Sequence, residues 1–137
     1  MKVQPVPVEF TNASWTFVAP FISSAIEHSE GGTLYSVDNI RDYVTSGKWL
    51  LLVAIDDSNV ICGAATIAIG NYPKHRVALV TTIGGRLIAS KDTYEQFKAI
   101  LKAHGCTLIQ AYGRESIVRL WKRYNFSPRQ TLMEAPL

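Results

Sequence analysis

Three apolar runs separated by short turns occupy the middle of the chain and constrain its architecture more than any other feature. The runs cover residues 49–55, 60–69 and 76–83, and turn-forming residues fill the segments 56–59 and 70–73 between them. Short apolar runs bounded by Asp, Asn, Gly and Pro are typical of strands, and connections this short join antiparallel neighbours. The sequence therefore predicts a three-stranded antiparallel meander.

A long segment of helical periodicity precedes the meander. After an extended opening over residues 3–10, apolar residues recur at helical spacing over 12–28. Asn12 is the predicted N-cap, and Pro20 is expected to kink the helix or delay its start because it lacks a backbone donor. The glycine pair at 31–32 is expected to end this element.

A second, shorter helix follows. It is predicted to start from a cap at Ser36 and to close at Gly47, where glycine suits the left-handed conformation that ends many helices.

The second half of the chain alternates helices and strands. Asp92 and Glu95 have the spacing of a capping box and predict a helix that Gly105 closes. The later elements are expected to be a strand over 107–112, a helix over 115–125 and a last strand over 131–135. A strand, a helix and another strand in succession usually give a parallel pair, so the central sheet should be mixed and mostly antiparallel.

Length and composition limit the class of protein to which this chain can belong. A chain of 137 residues with 47% apolar and 18% charged residues suits one globular α/β domain, here spanning 1–137, with about four flanking helices. No apolar run reaches the length of a membrane span, and the first residues lack a secretory signal. Cys62 and Cys106 are expected to be free thiols, and no metal-ligand spacing is present.

The element order resembles that of the GNAT acetyltransferases over nearly the whole chain. The stretch over 114–126 is more specific evidence than the element order. Its sequence, RESIVRLWKRYNF, is similar to the family pattern of Asn, a small residue and then Leu-Tyr-x-Lys-x-Gly-Phe. Leu120, Arg123 and Phe126 fit this spacing. The resemblance implies the GNAT fold.

A closer resemblance is to small GNAT-like proteins of tailed bacteriophages. The matching short motifs, in their order along the chain, are Gly63-Ala64-Ala65, Tyr72-Pro73, Gly84-Gly85, Gly105-Cys106 and Gly113-Arg114. This resemblance implies a phage origin and a location in the host cytoplasm or the virion. It also implies a protein partner in the phage particle, or self-association, and no membrane.

The resemblance further implies a site for the phosphates of acetyl-CoA. In the family an Arg/Gln-x-x-Gly-x-Gly/Ala loop holds them at a helix N-terminus, where backbone amides and the helix dipole favour anions. This chain departs from that pattern, because its glycines precede the arginine. The candidate cofactor-binding residues are Ile83, Gly84, Gly85, Arg86 and Lys91.

The catalytic groups that the resemblance implies are also altered. The tyrosine that reprotonates the departing thiolate in many relatives is replaced by Trp121, whose indole N–H is not an acid. Tyr124 and Tyr112 are the candidate substitutes. A general base is equally hard to place, because the runs 60–69 and 76–83 contain no Asp or Glu.

A basic patch is predicted on the last helix. Arg119, Lys122 and Arg123 fall three and four residues apart and share one face, with Arg114 and Arg129 nearby. The patch suits nucleic acid, coenzyme phosphates or an acidic protein surface, and equally an ordinary solvated helix face.

Three functions follow from these observations. The leading hypothesis is a degenerate GNAT-fold protein that serves as a non-catalytic virion or binding component, because the loop, acid and base all depart from the family pattern. The alternative is an acyl-CoA-dependent N-acetyltransferase in which the glycines and Arg86 hold the cofactor and another tyrosine is the acid. The third is a nucleic-acid-modifying or nucleic-acid-binding phage protein.

Overall fold

The computed structural model of the chain describes residues 1–27, 34–113 and 115–137. Its elements, in chain order, are β1 (Lys2–Pro5), α1 (Val8–Glu27), α2 (Val37–Thr45), β2 (Leu50–Ile55), β3 (Ile61–Asn71), β4 (Arg76–Gly85), α3 (Lys91–Ala103), β5 (Leu108–Ala111) and α4 (Glu115–Lys122). The strands form one sheet in the order β1-β2-β3-β4-β5. The first three neighbouring pairs are antiparallel and β4 pairs with β5 in parallel, which confirms the predicted meander and mixed sheet.

The sheet separates two apolar cores. On one face α1 and α2 pack through Trp15, Val18, Ile22, Ile40 and Val44 against inward residues of β2 and β3. On the other face α3 and α4 pack through Tyr94, Phe97, Leu101 and Trp121 against the alternate residues of the strands. Successive strand side chains point to opposite faces, so nearly continuous apolar strands such as β2 serve both cores.

The N-terminal prediction was wrong in its boundary. Strand β1 ends at Pro5, and α1 begins at Val8 rather than after Asn12. The amide of Phe10 donates to the carbonyl oxygen of Pro7 at 2.9 Å, which opens the helix before Asn12 is reached. Pro20 lies inside α1 on its exposed side, so the buried face of the helix continues past it. The glycine pair at 31–32 lies outside the described residues.

Helix α2 forms as expected. The Ser36 hydroxyl oxygen accepts the amide of Asn39, the Asn39 side chain accepts the amide of Ser36, and Gly47 has a φ of +77° just beyond the last turn. The start of α3 differs from the prediction. Its capping box joins Ser90 and Thr93, two residues before the predicted pair of Asp92 and Glu95, because a serine at Ser90 already provides the capping oxygen.

Gln96 on α3 closes the outer edge of β1. Its side-chain oxygen accepts the amide of Val3 at 2.8 Å, and its side-chain nitrogen donates to the carbonyl oxygen of Met1 at 3.0 Å. Edge strands carry unpaired backbone groups, and here one amide side chain satisfies a donor and an acceptor together. This pair of bonds joins the first strand to the middle of the chain.

Gln96→Ala is expected to lower the free energy of unfolding by about 1–3 kcal/mol, because it leaves the amide of the buried Val3 without a partner. Urea unfolding followed by circular dichroism measures the change. Gln130→Ala, at an exposed position, is the matched control and should leave stability unchanged. Equal effects of the two substitutions would contradict the role given to Gln96.

The end of the chain also departs from the prediction. Helix α4 ends at Lys122 rather than at residue 125, and the last strand expected over 131–135 is absent from the structure. Residues 127–137 are exposed and irregular. The composition of 131–135 suits a strand, but a strand needs a neighbour for its backbone groups, and none lies beside this segment.

None of the described helices combines the length and the hydropathy that crossing a bilayer requires. Cys62 is half-buried, Cys106 is buried, and both are free thiols.

Candidate functional site

An opening lies between the carboxyl ends of the two parallel strands. β5 pairs with β4 only from Val77 to Val80, whereas β4 continues to Gly85. The second half of β4 therefore has no strand on its β5 side. In sheets that contain parallel strands, ligands bind at such carboxyl ends, where neighbouring strands separate.

A bulge in β4 marks the place where this opening begins. Thr66 of β3 lies opposite Thr82, and Ile67 lies opposite Val80, so Thr81 is the extra residue. The Thr66 hydroxyl lies 2.6 Å from the hydroxyls of both Thr81 and Thr82, and the Thr81 hydroxyl donates to the carbonyl oxygen of Thr66 at 2.9 Å. Bulges bend a strand and increase its twist, so this hydroxyl cluster fixes the point at which β4 turns away from β5.

The predicted cofactor glycines lie inside β4 and are in contact with the protein's own backbone. A Cβ atom on Gly84 would lie 2.5 Å from the carbonyl oxygen of Phe21 in α1. On Gly85, whose φ is +71°, it would clash with the carbonyl oxygen of Cys62. The amide of Arg86 also donates to that Cys62 oxygen, at 2.9 Å. The glycine pair thus lets α1 and β3 approach the end of β4.

The loop from β4 to α3 carries the rest of the predicted segment. Ile83 is half-buried in β4, and Arg86 is exposed at the strand end. If the family motif is placed with Arg86 as its first residue, Ala89 and Lys91 stand at its two glycine positions. The capping box uses the amides of Ser90 and Thr93, which leaves the other first-turn amides of α3 without a partner inside the helix.

A cationic cleft lies between the first half of α3 and the end of α4, and we call it the α3–α4 cleft. It has a volume of about 320 Å³ and is lined by Lys91, Tyr94, Glu95, Lys98, Arg123, Tyr124 and Asn125. Its three cationic side chains face one carboxylate, that of Glu95, which pairs with Lys98 at 3.3 Å. The cleft therefore has an excess of positive charge beside the N-terminus of a helix, which suits an anion.

Tyr94 is a buried residue that lines this cleft. Its ring stacks on that of Tyr124 at 4.3 Å between centroids, and the Lys98 ammonium lies 5.4 Å from its centroid. Burial, and secondly the neighbouring Glu95 carboxylate, raises the pKa of the Tyr94 phenol above its ordinary value of 10.0. Both causes disfavour the phenolate, so Tyr94 stays neutral under ordinary conditions.

The raised pKa of Tyr94 predicts a loss of stability at alkaline pH. Above pH 10 the unfolded chain releases the Tyr94 proton while the folded chain keeps it, so the free energy of unfolding falls as pH rises further. Tyr94→Phe should reduce this fall, and Tyr72→Phe, at an exposed position, should not. Thermal unfolding between neutral pH and pH values above 10 makes the comparison. Parallel curves for wild type and Tyr94→Phe would contradict the prediction.

The two candidate acids are in different environments. The Tyr124 hydroxyl donates to the carbonyl oxygen of Ile88 at 2.9 Å, so this hydrogen bond holds the β4–α3 loop against the turn that follows α4. Tyr112 follows the last residue of β5 and is 70% exposed. It lies at the carboxyl end of β5, where the opening between the strands begins.

Trp121 is buried in the core between the sheet and α4. Among the described residues no hydrogen-bond acceptor meets its indole N–H, although the nitrogen is fully buried. Gly113 lies next to the same edge of the ring, since a Cβ atom there would be 3.7 Å from Trp121 Cδ1. A buried donor without an acceptor costs free energy, so Trp121 keeps its place in the core at a cost to stability.

The predicted basic patch is divided in the structure. Arg123 lines the α3–α4 cleft, whereas Arg119 and Lys122 are exposed and are not part of its lining. Arg114 lies outside the described residues. The structure thus brings together Lys91, Arg123 and Tyr124, which the sequence had singled out for separate reasons.

Sequence reasoning missed Lys98. Lys91, Glu95 and Lys98 are spaced four and three residues apart, so they share one face of α3. That spacing was a signal for a charged surface on this helix. Its meeting with Arg123 depends on how α4 packs against α3. Elsewhere in the described residues, no three His, Cys, Asp or Glu side chains are grouped to hold a metal ion.

No protein-family model matches the sequence. No curated protein matches it either. Solved structures do resemble the fold. A mutant of the BH1408 protein from Bacillus halodurans has a TM-score of 0.69 at 16% identity, with 100% of this chain and 99% of that chain covered.

Two further solved structures that resemble the fold are named as acetyltransferases. A GCN5-related N-acetyltransferase from Ralstonia eutropha JMP134 has a TM-score of 0.65 at 12% identity, covering 99% of this chain and 97% of that one. A predicted acetyltransferase with acetyl-CoA from Clostridium acetobutylicum has a TM-score of 0.65 at 12% identity, covering 98% and 95%. Identities this low establish a shared fold. The chain has the GNAT fold, as the element order predicted.

Proposed function

We propose that this protein binds acyl-CoA with its phosphates in the α3–α4 cleft and transfers the acyl group to an amine. The observation that carries the proposal is the position of the cleft. Lys91 lies at the N-terminus of α3, Lys98 and Arg123 line the same cleft, and one short loop joins α3 to the end of β4 that continues past β5. The phosphates of coenzyme A would bind in the cleft, and its pantetheine arm would extend towards the opening between β4 and β5.

The chemistry of the cleft fits the phosphates of coenzyme A. Arg123 offers a planar guanidinium that can bind a phosphate through two hydrogen bonds, and Lys91 and Lys98 offer compact charges. The first-turn amides of α3 add donors.

Bound acyl-CoA would supply an activated acyl group. The amine nitrogen forms a bond to the acyl carbon as the carbon–sulfur bond breaks, and the proton that nitrogen loses is balanced by one that sulfur gains. Tyr112 is the proposed donor of that proton, because its phenol lies at the carboxyl end of β5. Tyr124 is a positioning residue in this scheme, because its proton holds the carbonyl oxygen of Ile88.

Thermal unfolding with and without acetyl-CoA tests the proposal, with calorimetric titration to measure affinity. Ligand at a hundredfold excess over its Kd adds about 2.7 kcal/mol, which raises the unfolding temperature by several degrees at this chain length. Inorganic phosphate at equal ionic strength is the control and should give little shift. The absence of any shift at millimolar acetyl-CoA would remove the proposed function.

Tyr112→Phe is expected to lower turnover about tenfold without changing the affinity for acetyl-CoA. The effect is smaller than that of many general acids, because a thiol can leave as its thiolate. Tyr124→Phe is the comparison, and its effect should appear as lower stability. The readout is release of free thiol with a panel of amines. A Tyr112→Phe variant with full turnover would assign the proton to another group.

A second candidate rests on Trp121 and Tyr124. The indole N–H of Trp121 is buried and is not an acid, and the Tyr124 hydroxyl donates its hydrogen bond to the carbonyl oxygen of Ile88. Both features are expected of a protein that keeps the core of the fold but no longer catalyses a reaction. In this reading the protein is a non-catalytic component of a tailed phage that binds another protein. Acetyl-CoA binding without turnover on any amine would favour it over the transferase.

A further inference from the structure

The hydroxyl cluster at the bulge of β4 has only one arrangement of its protons. The Thr81 hydroxyl donates to the carbonyl oxygen of Thr66 at 2.9 Å. A hydroxyl has one proton, so Thr66 is the donor in the 2.6 Å contact between the Thr66 and Thr81 hydroxyls. The proton of Thr66 is then used, and Thr82 is the donor in its own 2.6 Å contact with Thr66. The protons therefore point in one direction, from Thr82 through Thr66 to Thr81.

The Thr81 oxygen keeps an unused acceptor site. A hydroxyl oxygen has two lone pairs, and the bond from Thr66 occupies one of them. Within the described chain no other donor reaches this oxygen. The proton of Thr81 is already donated, so toward a ligand this hydroxyl is only an acceptor, and a chain of hydrogen bonds strengthens it as one. A group that binds here has to be a donor such as an N–H, and a carbonyl or phosphate oxygen does not fit.

Thr81 lies where the opening between the parallel strands begins. Val80 and Ala111 are the last pair that joins β4 to β5, so Thr81 and Tyr112 are the first residues beyond it on the two sides of the opening. Thr81 is half-buried and Tyr112 is 70% exposed, so neither is closed off from a ligand. One side of the opening thus starts with a hydroxyl oxygen that accepts, and the other starts with a phenol that can donate.

The hydroxyl cluster and the α3–α4 cleft lie on opposite faces of the sheet. Thr66 lies between Ala65 and Ile67, whose side chains belong to the core under α3 and α4. Successive strand residues point to opposite faces, so the Thr66 hydroxyl and the Thr81 hydroxyl bonded to it lie on the face that carries α1. A ligand held at Thr81 would therefore not compete for space with phosphates held in the cleft.

We propose that the Thr81 oxygen accepts a hydrogen bond from a primary amine that receives the acyl group, an inference that rests on the proposed acyl transfer. A primary amine has two N–H groups, and only one of them is lost in the reaction. As the nitrogen bonds to the acyl carbon, the carbon–sulfur bond breaks. The lost proton passes to water, and Tyr112 gives sulfur a proton that it regains from water. The other N–H stays bonded to Thr81 and remains in the amide product, which fixes the direction of attack.

Methylamine and dimethylamine test the proposal on the full chain, because they are small, have similar basicity and differ by one N–H. Thiol release from acetyl-CoA, less the rate without protein, gives kcat and KM for wild type, Thr81→Ser and Thr81→Val. Thr81→Val should lower kcat/KM for methylamine about tenfold, as the loss of one hydrogen bond does, and change it little for dimethylamine. Thr81→Ser keeps the hydroxyl and should keep the wild-type preference. Calorimetric titration should give all three proteins the same affinity for acetyl-CoA.

The comparison between the two amines separates a bond to the substrate from a structural role of Thr81. A merely structural loss in Thr81→Val would lower the rates with both amines equally, and that result would overturn the proposal. A Thr81→Ser variant as impaired as Thr81→Val would overturn it too, as would a wild type that binds acetyl-CoA and acylates neither amine. A wild type that does not bind acetyl-CoA removes the proposed function itself and this inference with it, so the titration tells the two failures apart.

Discussion

Replacing Gly84 with alanine lowers the free energy of unfolding by about 3 kcal/mol, as expected for a methyl group forced into packed backbone. The new Cβ atom would lie 2.5 Å from the carbonyl oxygen of Phe21 and 3.2 Å from its carbonyl carbon. Those atoms belong to the middle of α1, so relief requires moving the helix off the sheet rather than rotating a side chain. The expected fall in unfolding temperature is roughly 10 °C.

Gly70→Ala is the matched control for this prediction. It also lies in a strand, but its new Cβ atom would meet the ring of Tyr72 at 3.2 Å, and that side chain is exposed and can rotate. We expect a change within about 1 kcal/mol. Chemical and thermal unfolding measure both variants. If Gly84→Ala unfolds at the temperature of Gly70→Ala, the contact between α1 and β4 is not as close as described.

Reversing the charge of Arg123 weakens the binding of acetyl-CoA about 100-fold if the α3–α4 cleft holds its phosphates. Arg123→Glu removes a charge-assisted hydrogen bond and adds a second carboxylate beside Glu95. A loss of about 2.7 kcal/mol in binding free energy corresponds to this factor. Lys98→Glu should weaken binding to a lesser degree, because Lys98 already shares its charge with Glu95.

The control for charge is Lys74→Glu. Lys74 is exposed in the turn between β3 and β4 and is not part of the cleft lining, yet its substitution changes the net charge equally. Calorimetric titration at two salt concentrations should show near wild-type affinity for it. If Lys74→Glu and Arg123→Glu weaken binding equally, the phosphates are attracted by overall charge, and the cleft is not their site.

Local patterns in the sequence determined most of the elements. The apolar runs and their turns predicted the meander, Ser36 and Gly47 bounded α2, and alternating helices and strands predicted the parallel β4–β5 pair. These features depend on residues close together in the chain, since turns, caps and periodicity are local.

Tertiary structure decided the points where a distant contact overrides a local preference. The buried face of α1 carries the helix past Pro20, and Gly84 and Gly85 serve as contacts for Phe21 and Cys62 instead of forming a loop. Helix packing brought Arg123 of the α4 end to α3 and made one cleft of separate charges. The segment 131–135 stayed irregular despite its composition, because a strand exists only where another strand completes its hydrogen bonds.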